Sequence, residues 1–132
     1  MSTLICFFHK LTEAQKKKLL GKLRVEKISY LPQDLQKIWS NIPPEMPYVG
    51  EFILPIKKWL KKNVQAGDYI LVQGDYGATY QIVKCDFANN CIPIYATSER
   101  KTIEKTDNGQ ITLVRLFKHV RFRVYEKKDF CR

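Results

Sequence analysis

Between Tyr69 and Val83 the chain reads Tyr-Ile-Leu-Val-Gln-Gly-Asp-Tyr-Gly-Ala-Thr-Tyr-Gln-Ile-Val. Tyr69 to Val72 form a short apolar run suited to a buried strand, and Gly74 and Gly77 flank a two-residue turn. Ala78, Ile82 and Cys85 then fall at helical spacing, with Val83 and Phe87 alongside. A strand that feeds a helix N-terminus brings unpaired backbone N–H groups and the positive end of the helix dipole to one place. Glycines there let a phosphate approach the backbone closely, so the candidate chemistry is anion binding. The spacing is neither G-x-G-x-x-G nor G-x-x-x-x-G-K-S/T, and the glycines therefore imply neither a dinucleotide nor a nucleoside triphosphate. An ordinary strand-to-helix turn has the same spacing, and Asp75 suits it equally as the cap of the helix that follows.

The elements that must position this turn are legible on both sides of it. Thr3 to Phe8 is a continuous apolar run, as expected of a strand buried on both faces, and His9 and Lys10 follow at its C-terminal end, where open α/β sheets bind ligands. Thr12 and Gln15 form a capping box that starts a helix through Leu19, Leu20 and Leu23. Ile28 to Leu31 make a second short strand. Pro32 opens a helix with Leu35, Ile38, Trp39 and Ile42 on one face, stopped by Pro43 and Pro44, with Ser40 and Asn41 placed to cap its end or to reach a ligand. Trp39 reads as a core residue. Phe52, Ile53, Ile56, Trp59 and Leu60 mark a third helix that tolerates Pro55 in its first turn.

After the Gly-rich segment, Asn89 and Asn90 turn into a strand from Cys91 to Tyr95. Strands alternating with helices predict one α/β domain spanning residues 1–132, with a mostly parallel sheet, right-handed crossovers and helices on its faces. Beyond Arg100 the pattern changes: Thr102 to Thr106 and Gln110 to Phe117 flank Asp107-Asn108-Gly109, which predicts a C-terminal β-hairpin or antiparallel extension. In a final strand, Val120, Phe122 and Val124 alternate with His119, Arg121, Arg123 and Tyr125, giving an apolar face and a basic-aromatic face.

With 132 residues, 23 basic against 13 acidic, the chain carries a formal charge of +10, which favours anionic partners such as phosphates or nucleic acid. Lysines at 16–18, 57, 58, 61 and 62 also fit the solvated outer faces of helices. No secretory signal or membrane span is visible, so a cytoplasmic protein is expected. Cys6, Cys85, Cys91 and Cys131 show no C-x-x-C spacing, which points to reduced thiols and away from a metal centre.

Val72-Gln-Gly-Asp-Tyr-Gly-Ala-Thr-Tyr80, Ile94-Tyr-Ala-Thr-Ser-Glu-Arg100 and Phe117-Lys-His-Val-Arg-Phe-Arg-Val-Tyr125, with Trp39-Ser-Asn-Ile-Pro-Pro44, resemble a small standalone CRISPR-associated family of the Csx group. The resemblance implies a Rossmann-like domain related to the CRISPR-associated sensor (CARF) fold. It also implies a ring nuclease that cleaves cyclic oligoadenylates, cyclic tetraadenylate foremost, and so switches off type III antiviral signalling. Cleavage would use the ring's own ribose 2′-OH against the adjacent phosphate and need no metal or other cofactor.

For that task the enzyme must hold the hydroxyl in line and stabilise developing charge. Arg100 suits the charge, His9 suits acid or base work, and Asp75 could orient a hydroxyl. Lys10, Ser40, Asn41, Thr97 and Ser98, with Gln73, Gly74, Tyr76, Gly77, Ala78, Thr79 and Tyr80, make the expected ligand-binding set, the tyrosines by stacking on bases. A homodimer holding one ring between two copies of the turn is the expected assembly. Two other readings fit the same residues: a protein that binds the ring without cutting it, and a general single-stranded RNA-binding module.

Overall fold

The computed structural model describes residues 2–7 and 11–127. Its elements in chain order are β1 (Ser2–Cys6), α1 (Glu13–Gly21), β2 (Val25–Tyr30), α2 (Gln33–Ser40), α3 (Leu54–Asn63), β3 (Tyr69–Leu71), α4 (Tyr76–Ala88), β4 (Ile92–Asp107) and β5 (Gln110–Val124). One five-stranded sheet has the order β2-β1-β3-β4-β5, in which β2, β1, β3 and β4 are parallel and β5 runs antiparallel to β4. This is the Rossmann-like α/β sheet expected, with the antiparallel extension at its C-terminal side.

Strand alternation sorts the core into two layers. Leu4, Cys6, Leu71 and Ile94 face α1 and pack with Leu11, Leu19 and Val25. Ile5, Phe7, Ile70 and Val72 point the other way, into a larger cluster with Leu35 and Trp39 of α2, Ile56 and Leu60 of α3, and Ala78 and Ile82 of α4. One helix therefore covers one face and three cover the other. Right-handed crossovers require this when the chain reverses direction across the sheet between β1 and β3.

Local signals hold where they were strong. Thr12 and Gln15 form the reciprocal capping box of α1, and Pro55 sits in the first turn of α3. Asn108 and Gly109 take positive φ values of 51° and 79°, as a two-residue hairpin turn demands. Element ends shift, β2 starting at Val25 rather than Ile28 and α1 ending at Gly21 before Leu23, and three larger expectations change. The inward face of α4 is Ala78, Ile82 and Asp86, so a buried carboxyl stands where Cys85 was expected. β4 does not end near Tyr95 but runs on to Asp107, making with β5 a long two-stranded arm beyond the sheet. In β5 a bulge opposite Thr97 and Ser98 leaves Val120 unpaired, and the expected alternation breaks there. His119 consequently shares a face with Phe122, ring centroids 4.8 Å apart, rather than with Arg121 and Arg123.

Candidate functional site

The sheet order reverses between β1 and β3, so the ligand crevice of this fold lies at their C-terminal ends. His9 and Lys10, expected beyond β1, lie outside the described residues. Beyond β3, Val72 continues the ladder by donating to the Ile94 carbonyl at 3.0 Å. Gln73 then completes it with its side chain: Oε1 accepts from Ala96 N at 2.8 Å and Nε2 donates to Ala96 O at 3.3 Å. The amide thus mimics a strand residue and is occupied in holding β4.

Gly74 follows because nothing larger fits. A Cβ there would lie 2.9–3.0 Å from the Trp39 indole, whose Nε1 donates to the Gln73 carbonyl at 2.9 Å. Gly77 has room, since a Cβ would meet only Asp75 Oδ1 at 3.6 Å and Val49 at 3.9 Å. Asp75 is the N-cap of α4: its Oδ1 accepts from Ala78 N at 2.9 Å, and its carbonyl accepts from Thr79 N at 2.8 Å. The first-turn N–H groups left to a ligand are those of Tyr76 and Gly77. The capping carboxylate already satisfies part of the dipole's positive end, so this terminus attracts an anion less than the bare turn suggested.

What the turn does present is aromatic surface. Tyr76 is 95% exposed and Tyr80 64% exposed, with Lys84 Nζ 5.3 Å from the Tyr80 ring centre. They open onto a groove of about 980 Å³ between α4 and the start of the β4–β5 arm, whose walls include Val83, Phe87, Tyr95, Tyr125 and Lys127. Tyr125 is pinned at the far wall: its hydroxyl donates to the Val72 carbonyl at 2.8 Å, and its ring lies 4.6 Å from that of Tyr95. Burial, then Tyr95 and Asp86, hold the Tyr125 hydroxyl above its ordinary pKa, so it remains a donor. Arg123 Nη1 donates to the Tyr95 hydroxyl at 3.1 Å. Thr79, also in the lining, has a buried Oγ1 with no hydrogen-bond partner among the described residues.

The remaining sequence candidates are scattered. Ser40 is exposed at the end of α2, and Asn41 is spent on capping it, donating to the Lys37 carbonyl at 2.8 Å. The Thr97 hydroxyl is engaged with the Arg121 backbone at the bulge, at 3.1 Å and 3.3 Å, with Ser98 beside it. Arg100 is not at a strand end: it lies mid-β4 on the arm, its guanidinium 5.4 Å from the Phe117 ring centre. Near α1, the His119 ring nitrogens are buried without a partner among the described residues, and burial followed by the Lys18 charge lowers the pKa, favouring the neutral ring. Tyr95, Tyr125, Lys84 and Phe87 were not among the expected ligand set. Two of them, Tyr95 and Tyr125, lie within the motifs quoted above, but only the pairing of β4 with β5 brings them together.

A family model described as the Uncharacterized protein MJ1673 family matches residues 1–123. The chain belongs to the MJ1673 family. A Methanocaldococcus jannaschii protein described as "Uncharacterized protein MJ1673" is 43% identical over 121 residues, covering 92% of this chain and 94% of that one. No solved structure matches significantly. The match to the MJ1673 family takes in β1 through most of β5, and with them the turn, the arm and the α4 and Tyr95 side of the groove, while Tyr125 and Lys127 lie beyond it. Among the described residues no helix is long and apolar enough to cross a membrane, and no three His, Cys, Asp or Glu side chains group as metal ligands.

Proposed function

We propose that this MJ1673-family chain is a cytoplasmic ring nuclease of type III CRISPR defence, binding a cyclic oligoadenylate, cyclic tetraadenylate foremost, and acting as a homodimer. The observation that carries binding is the groove beside the α4 N-terminus, with exposed Tyr76 and Tyr80 on one side and Tyr95 and Tyr125 on the other. Adenines supply faces for those rings to stack on, at about 1–3 kcal/mol per base. Their linking phosphates suit the free N–H groups of Tyr76 and Gly77 and the ammonium groups of Lys84 and Lys127. The cleavage part rests on the resemblance of the motifs quoted above to those of the Csx-group family. In that reaction the ribose 2′-OH loses its proton and bonds to the adjacent phosphorus. The P–O5′ bond breaks and the 5′-oxygen takes up a proton, leaving a 2′,3′-cyclic phosphate and a 5′-hydroxyl. The protein's part is to align the hydroxyl and meet the charge on phosphorus.

Binding without cleavage is the second reading, favoured by a specific observation. Asp75 is committed to the cap, the Thr97 hydroxyl to the bulge, and Arg100 to the arm. Chromatography of labelled rings of three, four and six adenylates under single-turnover conditions separates the two. Linear products ending in 2′,3′-cyclic phosphate support the nuclease, whereas an intact ring that co-migrates with the protein leaves only sequestration. Displacement of the ring by an equal amount of linear oligoadenylate would instead favour general single-stranded RNA binding.

A further inference from the structure

Among the described residues, no strand pairs with the outer edge of β4 past Ala96. The Ile94 carbonyl accepts from Val72 N, and Ala96 exchanges both backbone groups with the Gln73 side chain, so even-numbered residues of β4 turn their N–H and C=O away from β5. Antiparallel alternation carries that orientation to Ser98, Arg100, Thr102, Glu104 and Thr106. The two-residue turn agrees, because its flanking residues Asp107 and Gln110 face each other across the ladder. From Glu99 to Lys118 every residue but Val114 is exposed, including Ile103, Ile111, Leu113, Leu116 and Phe117. Two strands alone, apolar on both faces and with a free edge, are marginal in water and invite a further strand.

We propose that the further strand is β4 of a second copy of this chain, paired antiparallel about a two-fold axis through Thr102. Only an axis that falls on a residue brings outward-facing backbone groups opposite one another. An axis on Arg100 or Glu104 sets that charge against itself, and one on Lys101 does the same for the lysine. An axis on Ile103 opposes Lys101 with Lys105 and Glu99 with Asp107, like against like. On Thr102 the charges match: Arg100 meets Glu104 of the second copy and Glu99 meets its Lys105, each pair formed twice by symmetry. Ile103 then lies diagonal to Ile103 of the second copy, next to Val114 on the same face of its own arm. Among the described residues neither Arg100 nor Glu104 is in an ion pair within the chain, so both are available. The product is a four-stranded sheet, β5-β4-β4-β5, with the two arms shielding each other's edge. This interface rests on the homodimer proposed above and does not require that a nucleotide be bound or cleaved.

Light scattering and sedimentation of the full chain at micromolar to high-micromolar concentration test the interface. Wild type is expected to be a dimer. Arg100→Glu or Glu104→Arg alone should weaken dimerisation about tenfold or more, and the two together should restore it, a rescue that misfolding cannot produce. Thr102→Pro removes the outward N–H on the axis without touching a charge and should also give monomers. A monomeric wild type, or a dimer undiminished by Arg100→Glu, Glu104→Arg and Thr102→Pro alike, overturns the proposal.

Discussion

The indole of Trp39 lies where the side chain of residue 74 would be, leaving 2.9–3.0 Å to a Cβ built on Gly74, while its Nε1 holds the Gln73 carbonyl. The bend from β3 into α4 is thus set by an aromatic ring on a different helix. Gly74→Ala should cost about 1–3 kcal/mol of stability by overpacking. Gly77→Ala, with open space around it, should leave stability unchanged or raise it by up to about 1 kcal/mol. Urea unfolding of the two variants reads the contrast, and equal destabilisation would contradict the packing described.

Nucleotide binding should depend on the exposed rings without depending on the fold. Tyr76→Ala and Tyr80→Ala are each expected to weaken ring binding about tenfold, in line with about 1–3 kcal/mol of stacking per base. Because both side chains are largely exposed, thermal midpoints should stay within a few degrees of wild type. Calorimetric titration with cyclic tetraadenylate beside a thermal melt checks both halves.

Asp86 is buried on the inner face of α4, and burial pushes its carboxyl up to about 8. The folded state therefore holds a proton that the unfolded chain releases near its ordinary value of 3.8. Its contribution to stability is full below that value and is lost as pH rises toward 8, at no more than about 1.4 kcal/mol per pH unit. Denaturant unfolding between these limits should show stability falling with pH in wild type and a flatter profile in Asp86→Asn.

Ring cleavage by the substrate's own 2′-OH requires no divalent ion. Activity on cyclic tetraadenylate is expected to persist in EDTA, with the same products. Its complete loss, restored by magnesium or manganese, would replace the proposed chemistry with a metal-assisted one.

The sequence by itself determined the features whose causes are local. The capping box of α1, the Pro-started helices, the Asn-Gly turn and the alternation of short apolar runs with helical periods each depend on residues within one or two turns of chain, and together they imply the parallel sheet and the antiparallel extension. The position of the Gly-rich turn at a helix start was legible for the same reason. What only the tertiary structure decided are the pairings between distant segments. Gln73 is bonded to Ala96, Trp39 fills the space over Gly74, and Tyr125 reaches Val72 across 53 residues of sequence. None of these leaves a periodic trace, because any polar or aromatic residue at those positions reads alike until the sheet order brings its partner near. The same holds for the run of β4 past Tyr95 and the bulge at Val120: strand continuation and face are set by the partner strand's hydrogen bonds, which relocated Arg100 to the arm and His119 to the side of α1.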